Sequence, residues 1–245
     1  MLRRQTNEIP WTRRVSTPSE AVRFIDHVGF CVLFPLKNVP LPSLYFAVSR
    51  RRDAGWDKYA QLIWKWKDEL PKKRRAFYAK YLKARGTFLS LKLLPHFLAM
   101  HGTAVKPDEA GAFYKTGRIS HDAWELWQAL GKQGPLATLE LRHDCKMETQ
   151  AGNKRFKKAM LELQGLLIVT HSGAEQETEA WASNRFELVS QAFPKQIAEA
   201  GKLSAEEART ALAVQYRTLY PSASPAQIAR LFGWPKAQAV TALAL

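Results

Sequence analysis

The sequence predicts a mainly α-helical chain with small β-hairpins, an α+β fold assembled from helix-turn-helix modules. Three observations lead to it. Capped helix starts recur, at Thr17-Pro18-Ser19-Glu20, Ser204-Ala205-Glu206-Glu207 and Ser224-Pro225-Ala226-Gln227. Apolar residues recur at helical spacing, as in Ile119, Ala123, Leu126, Trp127 and Leu130. Between residues 118 and 193, three helical segments precede the apolar run Leu166-Leu167-Ile168-Val169, a polar loop from Ser172 to Ala180, and a second strand beginning near Trp181. Three helices followed by a two-stranded hairpin is the order of a winged helix-turn-helix, so tandem winged-helix and helix-turn-helix units are expected.

In chain order, residues 1–16 read as a basic arm carrying Arg3, Arg4, Arg13 and Arg14, with Trp11 pinning it to the body. Thr17 caps a helix whose apolar stripe is Ala21, Phe24, Ile25 and Val28, and Gly29 ends it. Phe30 to Leu36 fits a strand or a buried helical piece, because periodicity does not separate the two. Pro35, Pro40 and Pro42 make the following stretch a loop. Asp57 to Leu70 reads as a helix with Tyr59, Leu62, Ile63 and Trp66 on one face, and Trp64, Lys65 and Lys67 off it. Pro71 is expected to open another helix running through Arg85, with Gly86 closing it. Residues 102–117 and 194–203 read as connections. The expected units are therefore 17–101, an N-terminal basic helical domain (a degenerate winged helix); 118–193, a winged helix-turn-helix; and 204–245, a C-terminal helix-turn-helix.

Within 118–193, Ser120 caps the first helix, and Gly131 and Gly134-Pro135 stop it. Thr138 is expected to cap a short second helix that carries Arg142. The third, about 151–164, is two-faced. On a wheel of 100° per residue, Lys154, Arg155, Lys157 and Lys158 fall at about 0°, 100°, 300° and 40°. Phe156, Ala159, Met160 and Leu163 fall at about 200°, 140°, 240° and 180°. A basic front and an apolar back are what a DNA recognition helix requires, although Leu161 and Glu162 also sit on the basic side.

Composition points the same way. The 245 residues hold 46% hydrophobic side chains, enough for a sizeable core, and carry a net charge of +15. Residues 1–100 hold 20 Lys and Arg against 7 Asp and Glu, a net of +13, and the remaining residues hold 17 against 15, a net of +2. A pI near 9.9 implies a polyanionic partner, most simply double-stranded DNA. Candidate DNA-binding residues are Lys154, Arg155, Lys157, Lys158 and Arg142, together with Lys72, Lys73, Arg74 and Arg75 and the run Arg50, Arg51 and Arg52. Two cysteines, Cys31 and Cys145, make a disulfide framework unlikely, and no secretory signal or membrane span is read, so a cytoplasmic, bacterial-type protein without a membrane partner is expected, with a monomer favoured. The six histidines form no metal-ligand spacing, no cofactor fingerprint occurs, and neither metal nor cofactor is expected. The carboxylate pairs Asp68-Glu69 and Glu206-Glu207 read as solvated helix ends.

The order of segments resembles the AlkZ/YcaQ family of bacterial DNA glycosylases, and more closely the shorter AlkZ-related proteins. The resemblance spans residues 18–194. It is carried by Glu20-Ala21-Val22-Arg23-Phe24-Ile25-Asp26, Gly29-Phe30-Cys31-Val32-Leu33-Phe34-Pro35, Leu41-Pro42-Ser43-Leu44, Trp64-Lys65-Trp66-Lys67-Asp68-Glu69-Leu70, and the unit from Gly134-Pro135 through Lys154-Arg155-Phe156-Lys157. It implies tandem winged helices forming a basic concave surface for duplex DNA, and repair of alkylated or crosslinked bases. The family's glycosylases use a Gln-apolar-Gln or Gln-apolar-Asp motif near the N-terminus. Phe24-Ile25-Asp26 matches it here, with Asp26 at the second polar position and Phe24 replacing the first Gln. Asp26 is the candidate catalytic residue, since a carboxylate can stabilise an oxocarbenium-like sugar or help activate water. Phe24 cannot position that water, so catalysis is expected to be lost or altered. The alternatives are an active glycosylase using Asp26, a surface Asp26 paired with Arg23, and a winged-helix transcription regulator.

Overall fold

The structure, a computed structural model, describes residues 11–103, 105–176 and 182–244. Arg3 and Arg4 of the basic arm, residues 177–180 of the polar loop and Trp181, the expected start of the second strand, lie outside them. The protein is mainly helical with two small three-stranded antiparallel sheets.

The first sheet belongs to a unit built in the order α1 (Pro18–Val28), β1 (Phe30–Val32), α2 (Leu44–Ser49), α3 (Lys58–Lys72), β2 (Phe77–Lys80) and β3 (Gly86–Leu89). Thr17 and Glu20 form the expected capping box, and Gly29 closes α1 at φ +80°. A side chain at Gly29 would also put its Cβ 2.8 Å from Leu93 Cδ2. The strand order is β1-β3-β2, with Phe30 and Phe77 both opposite Leu89.

Two helices follow, α4 (Leu94–His101) and α5 (Ala110–Lys115), before the same order recurs. The second unit runs α6 (His121–Gln133), β4 (Leu136–Ala137), α7 (Thr138–Asp144), α8 (Gln150–Gly165), β5 (Val169–Gln176) and β6 (Ala182–Leu188). Its strand order, β4-β6-β5, repeats that of the first sheet. The chain ends with α9 (Val189–Ala192), α10 (Pro194–Ala200), α11 (Ala205–Leu219), α12 (Pro225–Phe232) and α13 (Lys236–Ala244). Side-chain caps at Ser204 and Ser224 start α11 and α12 as their sequences require, and Gly233 ends α12 in the left-handed region.

Two cores result. One joins the first unit to α4 and α10–α13, through Phe30, Phe97, Tyr216 and Phe232. The other joins α5 to the second unit and includes Phe113, Leu126, Trp127, Phe156 and Leu163. The C-terminal helices therefore complete the first core. Trp234 reinforces the join, donating its indole N–H to the Met100 sulfur at 2.9 Å.

Several expectations need correction. No helix runs from Pro71 to Arg85: Pro71 sits in the last turn of α3, and Phe77 onward is a hairpin. Its reversal uses Lys83 and Ala84, both at φ 55°, which an α-helix cannot contain. The residues of that expected helix instead divide between the end of α3, a loop from Lys73 to Arg75, the strand β2 with Lys80 exposed, and the reversal that follows. The connection at 102–117 holds α5, whose Ala110 and Phe113 enter the second core, and the connection at 194–203 holds α10. Leu166 to Ile168 form a turn, so the strand begins only at Val169, and it extends through Gln176 where a loop was expected.

Candidate nucleic-acid interface

The second unit carries an exposed cationic face on α8. Thr149 caps it, and Phe156, Ala159, Met160 and Leu163 are buried along its back. Lys154, Arg155, Lys157 and Lys158 are all exposed on its front. The two residues that weakened the basic face are explained by their neighbours. Glu162 accepts hydrogen bonds from Ser120 N and Oγ, both at 2.7 Å, and so anchors the start of α6 to α8. Leu161 lines a cleft between the two units.

Not all the predicted cations are free for a ligand. Arg155 is held by Asp122 of α6, with Nε 3.1 Å from each carboxylate oxygen. That contact, opposed by burial, keeps the Asp122 carboxyl below the usual range. Arg142 donates to the carbonyls of Met147 at 3.1 Å and Glu148 at 2.6 Å, so it ties the α7–α8 turn. Lys73 pairs with Glu69 at 2.7 Å. Arg74 grips the buried Glu187 carboxylate with both terminal nitrogens, joining the end of α3 to β6. Arg50 donates to the Trp11 carbonyl and Arg51 to Asp57, whereas Arg52, Lys72 and Arg75 are exposed.

The N-terminal position is equally specific. Phe24 is fully buried and meets Trp11 edge to face at 5.6 Å. Asp26 is half-buried and accepts from Ser90 Oγ at 2.7 Å. Arg23 pairs with Glu20 at 3.9 Å, so the expected Arg23–Asp26 surface pair does not form.

What sequence reasoning missed lies where the second hairpin packs on α3. Lys67, expected off the buried face, is only 6% exposed. Asp68, expected to be a solvated helix end, accepts from Lys67 Nζ at 2.5 Å and lies 2.6 Å from Nε2 of His171, itself 3% exposed. Asn184 Oδ1 approaches Lys67 Nζ at 3.4 Å from the other strand. Burial drives the His171 imidazole below its ordinary range, so the ring is neutral near pH 7 and donates to Asp68. Burial alone would raise the Asp68 carboxyl, but the hydrogen bonds from His171 and Lys67 outweigh it and hold it below the usual range.

Backbone and side-chain hydrogen bonds fasten the same seam. Lys80 N donates to Gln164 Oε1 at 2.8 Å, and Thr170 Oγ1 to the Tyr78 carbonyl at 3.2 Å. Gly173, at φ +117° beside a β-bulge, lets β5 reach α3: a Cβ there would stand 3.2 Å from Lys72 Cβ. No local signal marks this cluster, because Asp68 and His171 are 103 residues apart.

Among the described residues, His121, Asp122 and Glu125 are the one group close enough to hold a metal ion, and Asp122 is already taken by Arg155. No helix among the described residues is long and apolar enough to cross a membrane.

The AlkZ-related family matches residues 15–233. That span is most of the chain, and the protein belongs to this family, a relation to DNA glycosylase-like proteins. No curated protein and no solved structure matched it.

Proposed function

We propose that the protein binds double-stranded DNA, in a repair setting, with base excision lost or altered relative to the family's glycosylases. Each repeat is read as a winged helix, and the units as 17–101, 118–193 and 204–245, with the last seated on the first. The single observation that carries the reading is α8, the third helix of its repeat, with a basic front and a buried apolar back. Lys154, Lys157 and Lys158 are the residues best placed to meet phosphates, because Arg155 and Arg142 already have partners.

Phe24 supports the loss of chemistry. Its ring fills the core against Trp11, so the position matching the family's first Gln offers no group to orient water. Asp26 keeps a carboxylate oxygen on Ser90 and has no second polar partner from position 24. Two measurements test the reading. Duplex affinity should fall steeply with salt, and K154A/K158A should weaken it and flatten the slope; unchanged affinity would refute the assignment of α8. Duplexes carrying N7-alkylguanine or an interstrand crosslink should yield no abasic sites beyond those of a D26A control. Abasic product that depends on Asp26 would instead establish an active glycosylase.

A further inference from the structure

Between the two repeats, α3, β2, α8 and the second hairpin enclose a cleft of about 480 Å³. The volume suits a small planar ligand. Its lining includes two buried polar side chains, Lys67 and His171, together with Phe156 and Phe186. An ammonium has three N–H groups, and Lys67 meets two acceptors, Asp68 and Asn184. One donor is left for an acceptor brought into the cleft. Trp64 forms the lip, 45% exposed, with the Lys67 ammonium 4.7 Å from its ring centroid. Trp56, 66% exposed, stands edge-on to Trp64 at 5.6 Å. Large exposed tryptophans cost solvation that core packing does not repay, and here two sit together. Lys80 and Lys157, both exposed, border the same opening.

We propose that this cleft takes a single unpaired nucleobase of a bound DNA strand. The base stacks on Trp64, its ring acceptors or carbonyls meet the Lys67 ammonium, and the flanking phosphates lie against Lys80 and Lys157. Aromatic lip, buried donor and cationic rim suit a flat, acceptor-rich group tethered to phosphates. The inference rests on the DNA-binding reading above and shares Lys157 with it, but Trp64, Lys67 and Lys80 lie outside the residues that would hold the paired duplex.

The test compares three duplexes of identical flanks by fluorescence anisotropy: fully paired, with one extra unpaired adenine, and with an abasic unit in place of that adenine. The adenine bulge should bind about tenfold tighter than the abasic bulge, a gain of the size expected for one stacked base. Trp64→Ala, at an exposed position, should erase that gain and leave paired-duplex affinity unchanged. Equal affinity for the adenine and abasic bulges overturns the inference while the DNA-binding reading stands. If no duplex binds, that reading falls, and the cleft is judged on single strands with and without one adenine: equal binding overturns it, and a preference for adenine that Trp64→Ala removes supports it.

Discussion

Helices α3 and α8 hold the same place in the two repeats, yet they meet opposite surroundings. Each is the third helix of its unit and precedes a hairpin. The front of α8 faces solvent with Lys154, Lys157 and Lys158. The corresponding region of α3 is covered by β5, which buries Lys67 and engages Asp68. One repeat thus presents its third helix, and the other uses it to bind its neighbour. The same place in a repeat can therefore leave a cationic face open or be used for assembly, and only the contacts across the chain distinguish the two. The charge distribution makes the same point. The N-terminal hundred residues hold most of the excess charge, but much of it there is tied into pairs and backbone contacts.

The sharpest way to break this comparison is to cut the buried network on α3. Asp68→Ala leaves Lys67 buried beside an unpaired imidazole and should cost on the order of 3 kcal/mol in urea unfolding. The counterpart at α8, Asp122→Ala on α6, breaks the exposed pair with Arg155 and should cost about 1 kcal/mol or less. Equal costs would mean that the two helices are not in different environments after all. Next in size is Glu187→Ala, which strands Arg74 at the same seam and should lower stability by about 2 kcal/mol, read from the denaturation midpoint.

A pH series tests the burial of the first unit. Burial, followed by the nearby Arg118 charge, lowers His101 to about 4 from 6.5, and its Nε2 lies 2.8 Å from Tyr81 Oη. Between those values the unfolded chain binds the proton and the folded chain does not. Stability is therefore complete above pH 6.5 and falls as pH drops towards 4, by about 3 kcal/mol. His171, also lowered, adds to the loss in the same direction. His101→Gln should flatten this part of the profile, and an unchanged profile would place the loss elsewhere. The smallest expected effect concerns the α8 face itself. Arg155→Ala should change the salt slope of duplex binding less than Lys154→Ala does, because Arg155 already serves Asp122. A larger change for Arg155 would show that DNA displaces that pair.

Much of the fold is legible locally. The capping boxes at Thr17, Ser204 and Ser224 and the stripe of α6 locate helices because caps and periodicity act within a few residues. The helices of the second repeat could be read for that reason, although its first hairpin strand begins later and runs further than expected. The first could not, because Phe77 to Leu89 carries lysines, arginines and aromatic residues at spacings that also suit a helix. Pairing with β1, more than forty residues earlier, decides the matter. The exposed part of the candidate site, on α8, followed from its wheel, whereas Lys67, Asp68, His171 and Asn184 did not.

By itself, then, the sequence determined the helical starts, the basic face of α8, the surplus of positive charge and the membership that Phe24 and Asp26 qualify. Those depend on short-range hydrogen bonding, periodicity and composition. The tertiary structure alone decided which cations remain free, that the C-terminal helices complete the first core, and that a buried lysine, carboxylate and imidazole meet where the repeats join. Those depend on long-range burial, which makes an ionised group either find a partner from elsewhere in the chain or lose its charge.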